Sequence, residues 1–224
     1  MNWQRRAQPW LGTLVEVGVP AGMSADAAFA ALQRVQARMS RFDPHSDVGR
    51  FAALPVGASL QVAEDTAQVL RAARQLQEAS GGLFDITQGR APQGWRCEGR
   101  RLTKLHAAAA FDLGGIAKGY AVDCAVRALQ AEGCPAGWVN AGGDLRAFGT
   151  AQLPILLRDE AAGALRPFAQ LEEGAFATSL WRTAYASVAA PLCLWADALT
   201  KVVAVSGNAR HPLLAAYEAR AWLH

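Results

Sequence analysis

The sequence predicts an α+β fold, and three observations point there. Stretches with helical spacing of apolar residues alternate irregularly with short β-branched runs. The regular strand–helix–strand period of a doubly wound nucleotide fold is missing. Neither GxGxxG nor a Walker A sequence occurs. Of the 224 residues 52% are hydrophobic, enough to bury one sizeable core, so a single domain over residues 1–224 with mixed or antiparallel sheets and packed helices is expected.

Taken in order, Leu14-Val15-Glu16-Val17-Gly18-Val19 alternates and reads as a strand. Ser24 caps a helix from Ala25 to Met39, with Ala28, Leu32, Val35 and Met39 on one face. Arg41 to Arg50 reads as a polar, turn-rich segment. A second helix is expected from about Ala63 to Ala79, stopped by Ser80-Gly81-Gly82. Arg90 to Lys104 is rich in Gly and Arg and reads as irregular. A third helix covers about Ile116 to Glu132 and ends at Gly133. Trp138–Asn140 and Leu145–Phe148 form short strands around a tight Ala141-Gly142-Gly143-Asp144 turn. Strands are expected around Gln152–Leu157 and Gly174–Ser179, a helix over Leu194–Ser206, and a short helix in the tail from Arg210 to His224.

Composition narrows the function. The net charge is +3, from 22 basic and 19 acidic residues. The arginines are scattered and not interleaved with aromatics, so nucleic acid is not an expected partner. The N-terminal stretch MNWQRRAQPWLGTLVEV has no apolar core, no small-residue cleavage site and no lipobox, and no apolar run is long enough for a membrane span. A cytoplasmic location is the expectation. Cys97, Cys124, Cys134 and Cys193 form no CxxC pair and read as free thiols of a reducing compartment.

Three Gly-Gly pairs each stand beside an aspartate: Gly81-Gly82 with Asp85, Gly114-Gly115 with Asp112, and Gly142-Gly143 with Asp144. Such turns allow close backbone approach, and their N–H groups bind phosphate where they open a helix. Gly81-Gly82 alone is better read as a helix C-cap, and Gly142-Gly143 equally well as a hairpin turn. Asp112-Leu113-Gly114-Gly115-Ile116-Ala117-Lys118 is the sharpest case, with bare backbone at a helix start and a lysine one turn inside. In Trp195-Ala196-Asp197-Ala198-Leu199-Thr200-Lys201, Asp197 reads either as a magnesium ligand or as an acid favoured by the positive end of its own helix.

Together the motifs resemble one family. LGT (Leu11–Thr13), SRFDPHSDVGRF (Ser40–Phe51), GGLFDIT (Gly81–Thr87), DLGGIAKGYAVD (Asp112–Asp123), VNAGGDLRAFG (Val139–Gly149), FATS (Phe176–Ser179) and ADAL (Ala196–Leu199) follow the order of the ApbE-type FAD:protein FMN transferases. The resemblance implies Mg²⁺-assisted cleavage of FAD, transfer of FMN to a Thr or Ser of an acceptor flavoprotein, and release of AMP. It implies cofactor contacts from Leu11, where the family usually has Met, and from Phe42, where Tyr is common. It extends these to Leu83, Phe84, Asp85, Asp112 and Lys118, and implies metal ligation by the Gly115 carbonyl and Asp197.

The chain departs from that pattern twice. The family's metal helix reads Asp-Ala-Leu-x-Thr, but Lys201 holds the threonine position and Thr200 is one residue early, rotated by about 100°. Thr200 could still offer its carbonyl to the metal, and the Lys201 ammonium could itself stand where the metal would be. The family also has a histidine before this helix that is implicated in activating the acceptor hydroxyl, whereas Ser179 to Ala196 contains none. The chain is therefore read as a shortened member that is a slow transferase impaired by the loss of the histidine segment, or uses another base such as Asp144, or only binds or delivers FAD, or hydrolyses FAD to FMN and AMP. Trp181 and Trp195 flank the shortened segment and could cover a flavin ring, although packing is the favoured role for most of the tryptophans.

Overall fold

The computed structural model describes residues 2–159, 164–181 and 184–224. Its elements follow in chain order as β1 (Trp3–Trp10), β2 (Thr13–Pro20), α1 (Asp26–Met39), α2 (Asp47–Ala53), β3 (Ser59–Gln61), α3 (Glu64–Ala79), β4 (Trp95–Glu98), β5 (Arg101–Lys104) and α4 (Ala117–Ala131). They continue as β6 (Gly137–Ala141), β7 (Asp144–Phe148), β8 (Leu153–Asp159), β9 (Ala164–Leu171), β10 (Gly174–Trp181), β11 (Ala184–Ala190), α5 (Cys193–Ser206), α6 (Leu213–Ala216) and β12 (Arg220–Leu223). The class is the expected α+β.

The main sheet runs β1-β2-β6-β7-β10-β11-β12, and every neighbouring pair in it is antiparallel. In β2, Val15, Val17 and Val19 are buried while Leu14 is exposed. The buried side of the sheet carries α4 and α5, and α1 packs on α4. Ala-rich faces on α4 and α5 let the two helices lie close, with Ala121, Ala125, Ala196 and Ala198 fully buried. On the other side the β8–β9 hairpin covers Leu145 and Phe176 through Ile155 and Leu157. A small sheet, β3-β5-β4, stands beside α3.

Several elements differ from the sequence reading. The polar stretch after Arg41 contains the start of α2, because Ser46 caps it by accepting from the Gly49 amide at 2.9 Å. The segment read as irregular is the β4–β5 hairpin, built around Gly99 at φ 56°. The tail forms one short helix and then β12, which pairs with β11. Among the cysteines, Cys124, Cys134 and Cys193 are buried and Cys97 is partly exposed. Burial pushes all four thiols above their ordinary pKa, which leaves them as packing groups.

Candidate functional site

The site is built on the crossing of α4 and α5. Each helix lends a carboxylate to the first turn of the other. Asp123 of α4 accepts from the Cys193 and Leu194 amides at the start of α5, at 3.0 and 2.9 Å. Asp197 of α5 accepts from the Gly119 amide in the first turn of α4 at 3.2 Å. Both acids thereby sit at the positive end of a helix. The approach depends on Gly119, where a Cβ would lie 2.2 Å from the Cys193 carbonyl oxygen. Asp197 lies one turn inside α5, so the helix end that favours it belongs to α4 and not, as one sequence reading had it, to its own helix.

Asp144 enters from the sheet. The Gly142-Gly143 turn joins β6 to β7 with φ of 64° and 103°, and Asn140 Oδ1 accepts from the Gly143 amide. A side chain at Gly142 would collide with Thr13, so glycine lets the β1–β2 end and this turn meet. Asp144 follows the turn, and its buried Oδ2 accepts from Lys118 Nζ at 2.5 Å. Burial and the neighbouring Asp197 charge push the Asp144 carboxyl up to about 7, against the opposing pull of Lys118 and Lys201. Burial alone would lower the Lys118 ammonium, but Asp144 and Asp197 outweigh it and hold its pKa above the ordinary value.

Lys201 completes the cluster. It stands one helical turn after Asp197 and therefore on the same face of α5. Its Nζ donates to Asp197 Oδ1 at 2.9 Å and to Thr200 Oγ1 at 3.0 Å, reaches the Asp197 carbonyl oxygen at 3.4 Å, and contacts Ser179 Oγ. Thr200 Oγ1 donates to the Asp197 carbonyl at 2.6 Å and lies 2.8 Å from Ser179 Oγ. The Lys201 methylenes fill the space beside Gly115, where a Cβ would come within 2.9 Å of Lys201 Cε.

A cleft of about 300 Å³ opens beside this cluster. Leu11, Phe42, Asp112, Gly114 and Lys118 line it, together with Met39 of α1. Lys118 joins the two parts, since it lines the cleft and bonds Asp144. Leu11 sits at φ 57° in the two-residue β1–β2 turn, an unfavourable conformation for a branched side chain, and its amide donates to Gln36 Oε1. Phe42 is 83% exposed on the rim, with the Arg41 guanidinium 4.6 Å from its ring centroid. Asp112 Oδ1 accepts from the Gly114 amide, and its Oδ2 accepts from Gln88 Nε2 and faces Arg41.

The structure thus brings Leu11, Phe42, Asp112, Lys118, Asp144, Gly115, Asp197 and Thr200 to the cleft or the charged cluster beside it. The GGLFDIT segment is placed differently. Phe84 is buried in the core and Leu83 packs against it. Asp85 is spent on its own turn, accepting from the amides of Thr87 and Gly89. That turn nevertheless supports the site, because the Ile86 carbonyl accepts from the Asp112 amide. Trp195 packs against Tyr217 with the rings tilted by 43° and does not line the cleft, while the Trp181 side chain falls outside the described residues.

Sequence reasoning did not single out Ser179, Gly119, Asp123 or Gln36, although the first three stand inside motifs it quoted. No histidine ring touches the charged cluster among the described residues. His224 Nε2 lies 3.1 Å from Ser187 Oγ, which pairs with Thr178 across β10 and β11. Thr178 and Ser179 are successive strand residues, so His224 is on the opposite face of the sheet from Lys201. Among the described residues, no cluster of three or more His, Cys, Asp or Glu is placed to hold a metal ion, and no helix is long and apolar enough to cross a membrane.

Comparison with known proteins gives a consistent picture. The sequence model of the ApbE family matches residues 11–104 and 92–180. No curated protein matches the sequence. Among solved structures, the flavin transferase ApbE from Vibrio cholerae superposes with a TM-score of 0.88 at 20% identity, covering 99% of this chain and 93% of its own. The ApbE protein from Thermotoga maritima gives 0.83 at 22% identity, with 99% and 94% covered. The apo flavinyl transferase ApbE from Pseudomonas stutzeri gives 0.78 at 22% identity, with 92% and 84% covered.

Proposed function

Because the chain belongs to the ApbE family, we propose that it is an FAD:protein FMN transferase, with residues 1–224 acting as one catalytic domain. FAD is the donor, a Thr or Ser hydroxyl of an acceptor flavoprotein is the acceptor, and AMP is the product released. The observation that carries this reading is Lys118, which lines an apolar-walled cleft and is bonded to a buried aspartate whose pKa is poised near neutrality. The similar structures, a flavin transferase and a flavinyl transferase, agree with it.

In the proposed step the acceptor hydroxyl oxygen forms a bond to the phosphorus of the FMN half. The bond from that phosphorus to the bridging oxygen breaks, and AMP leaves with the electron pair. The hydroxyl proton passes to Asp144, which takes the role that the family assigns to its missing histidine. A carboxyl with a pKa of about 7 suits a base working at neutral pH. The flavin end of FAD would rest on Leu11 and Phe42, and Lys118 would face the phosphates as a point charge. Asp112, with Leu83, Phe84 and Asp85 behind it, would hold the polar edge of the cleft.

The Mg²⁺ that the resemblance implies does not fit these residues. An ion bound through Asp197 Oδ1 would share its ligands with the Lys201 ammonium, which already contacts Asp197, Thr200 and Ser179. No step is therefore assigned to a metal.

The test is chromatographic assay of AMP from FAD, with and without a threonine-bearing acceptor flavoprotein, combined with mass analysis of the acceptor. AMP that appears together with FMN-modified acceptor supports the transferase. AMP formed equally without acceptor would make the chain an FAD pyrophosphatase. A yellow protein that releases none would be a flavin-binding or delivery protein.

A further inference from the structure

We propose that Lys201 is the resident cation of the phosphate site, a covalently tethered substitute for a divalent metal ion. The proposal rests on the transferase reading only for what the cation would touch. Its core is the arrangement of oxygens around one nitrogen. The Asp197 carboxylate, the Asp197 carbonyl, the Thr200 hydroxyl and the Ser179 hydroxyl converge on Lys201 Nζ from α5 and β10. A set made only of oxygens, including one carboxylate, is the donor chemistry of a hard cation. Here the cation is an ammonium delivered by the helix that also carries the carboxylate.

Burial makes the arrangement specific. The Asp197 side chain is fully buried and Thr200 is fully buried. An ionised carboxylate in that position requires a counter-charge. Lys201 supplies it while its own side chain remains 30% exposed. Glycine at 115 leaves room for the lysine stem. A larger residue at 115 would push the ammonium out of the oxygen set.

The consequence for binding is that Lys118 bonds Asp144 and Lys201 bonds Asp197, two lysines on neighbouring buried carboxylates. They form a pair of positive charges against which a diphosphate could lie. Each is a point charge with rotatable donors, so the pair would recognise phosphate oxygens without demanding one orientation.

The experiment uses the intact protein and Mn²⁺ alone, followed by electron paramagnetic resonance titration, so that it needs no flavin. The wild-type chain is expected to leave Mn²⁺ free. Lys201→Thr removes the ammonium, adds an oxygen, and is expected to take up one equivalent of Mn²⁺. Lys201→Met, which removes the charge without adding an oxygen, should take up none. In a second arm, FAD affinity of the wild type should be unchanged by EDTA or Mg²⁺. Lys201→Thr should instead gain about tenfold or more in FAD affinity on adding Mg²⁺.

Stoichiometric Mn²⁺ uptake by the wild type would overturn the proposal. So would a folded Lys201→Thr chain that binds no Mn²⁺, because the oxygen set would then not be a cation cradle. If no AMP is released but the Mn²⁺ results are as expected, the transferase reading fails and the tethered cation stands.

Discussion

The two ends of the α4–α5 pair use one device for different purposes. At one end Asp123 caps α5 and meets Arg146 Nη1 at 2.7 Å. At the other Asp197 caps α4 and meets Lys201 Nζ at 2.9 Å. Both carboxylates are buried, at 2% and 0% side-chain exposure. The partners differ. Arg146 is 17% exposed and meets Asp123 through one guanidinium nitrogen, whereas the Lys201 and Lys118 side chains remain about a third exposed, Lys118 at the cleft. Arginine closes a site, and lysine leaves a movable charge facing solvent. The proposed chemistry is therefore assigned to the Asp197 end, and the Asp123 end joins the two helices.

Removing either acid sharpens that contrast. Asp123→Ala would leave Arg146 and two helix amides buried without their partner. It is expected to cost about 3–5 kcal/mol in urea unfolding, while FAD binding per folded molecule stays the same. If FAD binding fell and stability did not, the two ends would have been assigned the wrong way round. Asp144→Asn should lower acceptor-dependent AMP release by about 10²–10⁴-fold, with little change in FAD affinity.

A smaller effect is expected in the pH profile. Asp144 must be ionised to accept a proton, so the rate should rise with pH and level off above about 7. The rise should vanish in Asp144→Asn. The stability effect has the opposite sign. A carboxyl raised in the folded chain binds its proton more tightly there than when unfolded. It thus favours the fold below its ordinary pKa of 3.8, and this contribution is lost as pH climbs through about 7. The difference in urea midpoint between wild type and Asp144→Asn, followed across that window, measures it.

The smallest change concerns the cleft rim. Leu11→Gly removes a left-handed leucine and should stabilise the chain by no more than about 1 kcal/mol. It also removes a cleft wall, so FAD should bind more weakly, as measured by quenching of flavin fluorescence. A variant with unchanged affinity would take Leu11 out of the site.

How far these features were legible in the sequence follows from how local they are. α1, α3, α4 and α5 carry apolar faces with helical spacing, and β2 alternates, so each announces itself within one window. β1 lies at the sheet edge with polar residues on much of its length, and it takes its form from pairing with β2. β12 is an edge strand as well, and its Ala-containing sequence reads equally well as helix until β11 is there to pair with it. α2 is short and polar at its start, and its cap is hidden among other turn residues.

The site shows the same division. Asp112, Lys118 and Asp144 stood out beside glycine pairs, and Asp197 as a carboxylate in an otherwise apolar helix start. The partnership of Gly119 with Asp197 spans 78 positions, and no local pattern records it. Lys201 was visible as a departure from a motif. That its nitrogen would sit among four oxygens depended on β10 bringing Ser179 to α5.

The exchange of carboxylates between α4 and α5 also limits how the domain can wear. Sliding one helix past the other by a single residue would strand three amide donors at once, those of Gly119, Cys193 and Leu194. The crossing therefore resists small slips of register. Substitutions in the β8–β9 hairpin or the small sheet should lower the melting point without gradually blurring the geometry of the charged cluster, so weakened variants would be fewer intact molecules of ordinary competence.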